Sequence, residues 1–426
     1  MNILALDLGT SSVRGLVLDA DAVPLPGALA RRKMAITIGD DGAATLDGPA
    51  YLAGLEACLD ELNAAGHLDD VGLVATAAQW HSVLPLDHDG TPLAPVLTWL
   101  DSRSAPPSGM AGPIDVAAFH HRTGAWWHRF YWSVRLPWLR QTLDRRPARF
   151  VGLVEYVFGT LLDEAPMSVS LASGTGLLDL RTLDWDEEAC ALAEVGPGEL
   201  PLLAPVGWTG RLRADFARRW PALRDVPWAA PTGDGAASNV GSGCVDPYRA
   251  AVTVGTSAAV RLVQAAPAGA ILPPLPGGLW RYRVDHRHVV TGTAYSAGGN
   301  LFAWSNRVLR LPAGPELEAS LAAIAPGHTL RADPRLGGSR PPGLAPAGSG
   351  EIRDLGFSTT AVDIFAGLMD ALCRRVAADM AEIESTVDYP VEVVLGGGAL
   401  AASPWWRRAF VAALAPRRMS YVTNPE

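Results

Sequence analysis

Residues 2–8 alternate between apolar and other positions, with Ile3, Ala5 and Asp7 on one face. The turn-forming run Gly9-Thr10-Ser11-Ser12 follows, and residues 13–18 alternate again, with Val13, Gly15 and Val17 on one side. Two alternating runs around a short polar turn predict a β-hairpin. Leu52, Leu55 and Leu59 carry helical spacing through residues 51–63. Residues 71–77 read as a buried strand that leads into Gln79-Trp80-His81. Residues 83–86 and 96–99 flank Asp89-Gly90, a turn signal. Residues 115–165 read as mostly helical, and 208–225 have helical character as well. A second hairpin is predicted near residue 250, with strands at 251–254 and 258–263 around Gly255-Thr256-Ser257. A long amphipathic helix is predicted over 361–386, with Ile364, Leu368, Leu372 and Val376 in register. A buried strand at 391–395 runs into Gly396-Gly397-Gly398. Ser403-Pro404 then marks a helix start, with serine as N-cap and proline at the first helical position.

The two Gly-Thr-Ser hairpins make a weak internal repeat whose period is far too long for a solenoid, so it indicates two related domains. Length agrees. The chain has 426 residues, and a single core seldom grows past about 250–300 residues. A boundary near residue 245 is expected, giving domains 1–245 and 246–426. The chain is 49% hydrophobic and 19% charged, a composition that excludes disorder.

Net charge is −9, and no basic run exceeds two or three arginines, so a nucleic-acid partner is not expected. Lys33 is the only lysine, and it follows Arg31-Arg32. A P-loop needs its lysine after a glycine, and a protein kinase needs one on a strand facing the phosphates. Both designs are excluded. Cys58, Cys190, Cys244 and Cys373 show no metal or redox spacing and read as reduced thiols of a cytoplasmic protein. The first apolar run meets Asp7 too soon for a signal peptide. The longest apolar-rich stretch, residues 150–162, is too short to span a bilayer. No membrane partner is expected. Oligomeric state is left open, with a homodimer as one option.

Several segments offer chemistry. Backbone N–H groups and hydroxyls of Thr10, Ser11 and Ser12 can cradle phosphate oxygens. Arg14 can point to the same phosphates, and Asp7 can hold Mg²⁺ through water. Gly255, Thr256 and Ser257 offer a second phosphate turn. Asp234, within Thr232-Gly233-Asp234-Gly235, has the surroundings of a turn residue. Next to a phosphate donor it becomes a candidate general base, approached closely past its flanking glycines. Bare backbone at Gly397 and Gly398 suits the approach of a flat ring or of phosphates. Gln79, His81 and Asp101 can bond sugar hydroxyls, with Trp80 or Trp99 stacking on a sugar face. Trp126, Trp127, His128 and Tyr131 form a second aromatic group. Each segment alone is also compatible with a purely structural role.

In order and spacing, these segments resemble the FGGY carbohydrate kinases, which include gluconokinase, xylulokinase and glycerol kinase. Asp7-Leu8-Gly9-Thr10-Ser11-Ser12-Val13-Arg14 resembles the family's first phosphate motif, and Val254-Gly255-Thr256-Ser257 its second. Gln79-Trp80-His81 with Trp99-Leu100-Asp101-Ser102-Arg103 is similar to its sugar-side segment. Ala172-Ser173-Gly174-Thr175-Gly176-Leu177-Leu178-Asp179 is typical of its first domain. Thr232-Gly233-Asp234-Gly235 falls where the family keeps its catalytic Asp. Gly298-Gly299-Asn300 with Trp304, and Gly396-Gly397-Gly398-Ala399, resemble the segments around ATP. The resemblance implies an α/β fold of two actin-like (ribonuclease H-like) ATPase domains, with mixed central sheets, flanking helices and an interdomain cleft. It implies transfer of the ATP γ-phosphate to a sugar or polyol hydroxyl, with ATP and Mg²⁺ as cofactors. Asp7 and Asp234 are the implied metal ligands, and Asp234 also touches substrate.

Two departures stand out. The family's Gly-Glu-Arg-x-Pro stretch is represented by Gly338-Ser339-Arg340-Pro341, without the Glu. The chain also stops at Thr423-Asn424-Pro425-Glu426, where a small-residue helix normally follows, so the second domain is expected to lack its last helix. Thr123-Gly124, His128 and Trp138-Leu139-Arg140 resemble gluconokinase more than glycerol kinase, which implies gluconate as substrate, with xylulose or another ketose or polyol as the alternative. Arg135 and His128 are candidate partners for a substrate carboxylate. Two other readings are a non-catalytic sugar or nucleotide sensor and an actin-like ATPase acting on polymers. With the first hairpin beginning at residue 2, a regulatory relative carrying a preceding DNA-binding domain is not expected.

Overall fold

The N-terminal alternation produces the predicted hairpin. Leu4, Leu6 and Leu8 are buried on one side of the strand Asn2–Leu8, which pairs antiparallel with Ser12–Leu18. The computed structural model describes residues 1–426 except 107–109, 111, 328–329, 341, 344–347 and 423–426. Pro341 and Thr423-Asn424-Pro425-Glu426, singled out above, therefore lie outside the described residues. The rest divides into two compact units: residues 1–237 with 266–271 and 282–288, and residues 238–265 with 272–281 and 289–426.

The first unit is built on a seven-stranded sheet. Its order runs Thr209–Gly210, Trp228–Ala229, Val71–Ala78, Asn2–Leu8, Ser12–Leu18, Pro24–Lys33, and the two-residue strand Thr232–Gly233 also pairs with Val71–Ala78. Val71–Ala78 is the hub. It runs parallel to Asn2–Leu8 on one side and to Trp228–Ala229 and Thr232–Gly233 on the other. Asp47 caps the helix Gly48–Ala64 by accepting the Ala50 N–H. That helix buries Tyr51, Leu55, Cys58, Leu59 and Leu62, and it contacts the strands Ser12–Leu18 and Pro24–Lys33.

Some local expectations change. A tight turn forms at residues 87–91, where Gly90 adopts φ 80° and the Gly90 N–H donates to the Asp87 carbonyl. Its flanks pair elsewhere, however: Leu84–Leu86 with Arg149–Val151, and Val96–Leu97 with Ala44–Leu46. Across the turn itself the two sides are joined by the isolated bridges Val83–Leu97 and Leu86–Pro92. Within 208–225, Thr209–Gly210 is a strand, and the helical part is Ala214–Arg219 followed by the single turn Pro221–Leu223.

The second unit repeats the opening device. Arg249–Val254 pairs antiparallel with Ala258–Ala265 and parallel with Glu392–Gly396, which in turn runs parallel to Met419–Tyr421. The helix Ala361–Glu384 opens on a capping box between Thr360 and Asp363. Its apolar face, including Leu372 and Val376, packs with Val252, Trp405 and Phe410 in one core. Ser403 caps the helix Pro404–Leu414 as expected. A short helix, Gly398–Ala402, precedes it and was not anticipated.

Glu155, in the helix Leu153–Leu161, is buried, and its carboxylate accepts the Gly152 N–H at 3.0 Å. Burial pushes its pKa from 4.5 up to about 7, against the lowering effect of the backbone N–H bonds. The folded state therefore holds this proton more tightly than the unfolded chain. The stabilisation is complete below the unfolded value and is lost as pH rises through about 7. Urea unfolding should show Glu155→Gln gaining stability relative to the parent as pH rises from about 5 to about 7, by at most ~1.4 kcal/mol per pH unit. Parallel pH profiles for the two proteins would contradict this.

Candidate active site

Strand register gathers the candidate residues of the first unit. Asp7 lies level with Ala77, and Thr232 lies level with the same Ala77 on the other side. Leu8, Ala78 and Gly233 then end three adjacent parallel strands. Asp7, Gln79 and Asp234 thus emerge at one sheet edge, the carboxyl ends of the strands, where open α/β sheets bind ligands. Asp234 is the first residue of the helix Asp234–Gly241 rather than part of a turn. Its side chain is exposed, and Oδ1 accepts the Gly235 N–H at 2.7 Å.

The phosphate-type turn is fastened to this edge. The Gly9 N–H donates to the Ser12 carbonyl, and Tyr51 Oη donates to the Gly9 carbonyl at 2.8 Å. The Thr10 hydroxyl donates to Gln79 Oε1 at 2.9 Å and accepts from Trp99 Nε1 at 2.9 Å. Gln79 is 2% exposed, and its Nε2 finds no hydrogen-bond partner among the described residues. A buried donor left unpaired costs about 1–3 kcal/mol, so this amide is poised for an acceptor. Ser12 is buried and accepts from Arg14 Nε, whereas Ser11 is exposed. Asp7 is half-buried with Arg14 Nε 3.6 Å from its Oδ2. Burial raises its pKa against the pull of Arg14 and Arg31.

Three expectations for the sugar side need correction. Trp80 is not an open stacking face. Its indole is buried against Gly174 and Gly233, and Nε1 donates to the Ser170 carbonyl at 3.0 Å. The Asp101 carboxylate is committed within the fold: it accepts the Ala44 N–H at 3.0 Å and a bidentate pair from Arg103. Arg135 is fully buried, and its guanidinium is turned onto backbone carbonyls, so it cannot meet a substrate carboxylate. His81 adopts φ 70°, and its Nδ1 lies 2.5 Å from the Gly174 carbonyl. Of the second aromatic group, Tyr131 is buried with its hydroxyl 2.6 Å from that of Tyr282. Trp126 stacks on His120. His128 Nδ1 accepts the Phe130 N–H.

In the second unit, the second turn, Gly298-Gly299 and Gly397 converge through bare backbone. The Gly255 N–H closes the turn onto the Ser257 carbonyl. The Gly299 N–H donates to the Gly255 carbonyl at 2.7 Å, and the Asn300 N–H to the Thr256 carbonyl at 3.1 Å. A Cβ on Gly298 would sit 2.6 Å from Ser257 C, and one on Gly299 2.9 Å from Gly255 O. Gly397 adopts φ 101°, and a Cβ there would sit 2.4 Å from Val254 O, whereas one on Gly398 would meet nothing within 4 Å.

Residues 2–241 match the N-terminal domain, and residues 250–422 the C-terminal domain, of the FGGY family of carbohydrate kinases. The chain belongs to that family. This FGGY kinase is 27% identical over 358 residues to a gluconokinase of Bacillus subtilis, covering 79% of this chain and 68% of that protein. It is 26% identical over 422 residues to a xylulose kinase of Streptomyces rubiginosus, covering 95% and 81%. In fold it is similar to a gluconate kinase structure from Lactobacillus acidophilus, with a TM-score of 0.86 at 20% identity over 100% of this chain and 86% of that one. The FGGY kinase thus has two actin-like domains with mixed, helix-flanked sheets. It is an ATP-dependent phosphotransferase acting on a carbohydrate hydroxyl.

Sequence reading missed Tyr51, which fastens the Gly9 turn of this FGGY kinase, and Ser170 and Tyr282, which hold Trp80 and His81 from distant points of the chain. None carries a local signal. Tyr51 lies in the segment 51–63 whose helical spacing is carried by Leu52, Leu55 and Leu59.

The glycine geometry separates two neighbours. Gly397→Ala should lower stability by about 1–3 kcal/mol through clash and a positive φ, and Gly398→Ala by no more than about 0.5 kcal/mol. Thermal unfolding of the two variants checks this, and equal effects would contradict it.

Proposed function

We propose that this FGGY kinase phosphorylates a small sugar acid, gluconate, and that Asp234 is the general base. The observation that carries this reading is the exposed Asp234 carboxylate at the strand edge shared with Asp7 and Gln79. A sugar hydroxyl loses its proton as it attacks the γ-phosphorus, and a positioned carboxylate accepts it. Gln79 Nε2, buried and still lacking an acceptor among the described residues, supplies a hydrogen bond to a second sugar oxygen. His81 and the backbone around Trp80 complete the sugar side. Trp80 and Asp101 contribute as framework.

Backbone and hydroxyl groups of Thr10, Ser11 and Ser12, together with Arg14, bind phosphate oxygens. Gly255, Thr256 and Ser257 serve phosphates from the second unit. Gly298, Gly299, Gly397 and Gly398 leave backbone open to the nucleotide. This assigns the sugar side and base to residues 1–245 and the second phosphate turn and adenosine site to 246–426.

Among the described residues no group of three or more His, Cys, Asp and Glu side chains could cage a metal. That suits Mg²⁺, which takes one or two carboxylates and completes its shell with water and phosphate oxygens. Asp7 and Asp234 would hold it, and the ion would neutralise charge on the transferring phosphate. No helix of the described residues is long and apolar enough to cross a membrane. With four free cysteines, a reducing compartment that supplies ATP, the cytoplasm, suits the reaction.

The gluconokinase relatives support a sugar acid, and the xylulose kinases support a ketose. ADP release over gluconate, xylulose, ribulose and glycerol decides the substrate. Gluconate should give the highest kcat/KM, and a higher value for xylulose would overturn that choice. Asp234→Asn should bind ATP normally while losing about 10²–10⁴-fold in kcat. Turnover near that of the parent would remove Asp234 as base.

A further inference from the structure

Arg135 is fully buried in the helix Trp132–Thr142, yet among the described residues no carboxylate pairs with its guanidinium. Its hydrogen bonds go to main-chain carbonyls. Nη1 donates to His81 O at 2.9 Å, Nη2 to Asp101 O at 2.9 Å, and Nε to Arg129 O at 3.3 Å. Burial pushes its pKa down to about 10, and the Asp101 charge opposes that shift. Burying a cation on neutral partners is costly. The arrangement needs a reason beyond stability.

The two carbonyls bridged by the fork supply one. His81 is a non-glycine residue at φ 70°, a conformation that costs about 1–3 kcal/mol unless its surroundings impose it. Its ring is gripped as well. Nδ1 lies 2.5 Å from the Gly174 carbonyl, which places the proton on Nδ1. Phe130 lies 4.3 Å from the ring centroid, and the Arg135 guanidinium sits over that same Phe130 ring at 5.8 Å. On the other arm, Asp101 is locked through its carboxylate by Arg103 and Ala44, and Trp99, two residues earlier, donates to Thr10 in the phosphate-type turn.

We propose that Arg135 is a positioning residue of the sugar-side site: its rigid fork holds the His81 and Asp101 carbonyls together and thereby fixes how Gln79-Trp80-His81 is presented to the sugar. The proposal rests on the reading that this segment faces the sugar. Arginine is needed because its planar group reaches two carbonyls with separate nitrogens, whereas a lysine ammonium is a single point donor.

The test uses the full-length chain, Arg135→Lys and Arg135→Met. Steady-state kinetics with gluconate should show Arg135→Lys raising KM tenfold or more. ADP affinity measured without sugar should stay within twofold. Histidine ¹⁵N NMR should show the His81 ring leaving its single Nδ1–H tautomer. Arg135→Met should do the same more severely. Should it fail to fold, Arg135→Lys alone decides. Gluconate KM within twofold of the parent in Arg135→Lys overturns the proposal. So does a parallel loss of ADP affinity, which would mark a merely structural residue. If the parent chain phosphorylates no sugar, the kinase-substrate reading fails. The NMR arm still decides the positioning claim: a His81 ring unchanged in Arg135→Lys overturns it, and an altered one supports it.

Discussion

The contact of Trp80 with Gly233 is the constraint on which the first unit's site depends. The indole lies so close that a Cβ on Gly233 would fall 1.9 Å from Trp80 Cε2, and one on Gly174 2.5 Å from Cδ1. Only hydrogen fits at either place. Ser170 locks the arrangement from both sides, because its carbonyl accepts Trp80 Nε1 and its hydroxyl accepts the Gly233 N–H. The large side chain after one strand is thereby clamped to the backbone before Asp234. This sets the height of the Asp234 carboxylate relative to Asp7 and Gln79, which parallel pairing alone fixes only to within the freedom of strand ends. Interior packing tolerates little displacement, so the site inherits the rigidity of the core.

The two Gly-Thr-Ser turns share a hairpin but are held by different physics. In the first, side chains do the fastening: Thr10 exchanges hydrogen bonds with Gln79 and Trp99, and Tyr51 bonds the Gly9 carbonyl. In the second, backbone approaches backbone, with Gly299 and Asn300 donating to the carbonyls of Gly255 and Thr256. Side-chain fastening couples the first turn to Gln79 and Trp99. Glycine fastening leaves the backbone of the second turn uncovered by side chains, as the proposed nucleotide role of that turn would require.

Much of this was legible in the chain. Alternation around each turn gave both hairpins, apolar spacing gave the long helix Ala361–Glu384, and capping chemistry at Ser403 marked the start of Pro404–Leu414. The order and spacing of the motifs along the chain alone point to the FGGY kinases. What escaped was tertiary. Asp234 between two glycines looks like a turn residue, but the strand pairing at Thr232 and Gly233 delivers it as the first residue of a helix. Trp80 beside His81 looks like a sugar platform, and only the distant glycines at 174 and 233 show that its face is covered. Asp101 looks like a ligand, and its neighbour Arg103 consumes it locally. Arg135 looks like a partner for an acid, and its burial on carbonyls cannot be inferred from spacing. Each miss concerns a side chain whose role is set by residues far away in sequence or by a competing partner two positions on.

A crystal structure of the chain with gluconate bound is the most direct test of the central claim, that one sheet edge of the first unit presents Asp7, Gln79 and Asp234 to a sugar. The account predicts a sugar hydroxyl within hydrogen-bonding distance of an Asp234 carboxylate oxygen and a second sugar oxygen on Gln79 Nε2. Sugar bound away from that edge, with Gln79 Nε2 satisfied by some other group of the protein, would contradict it.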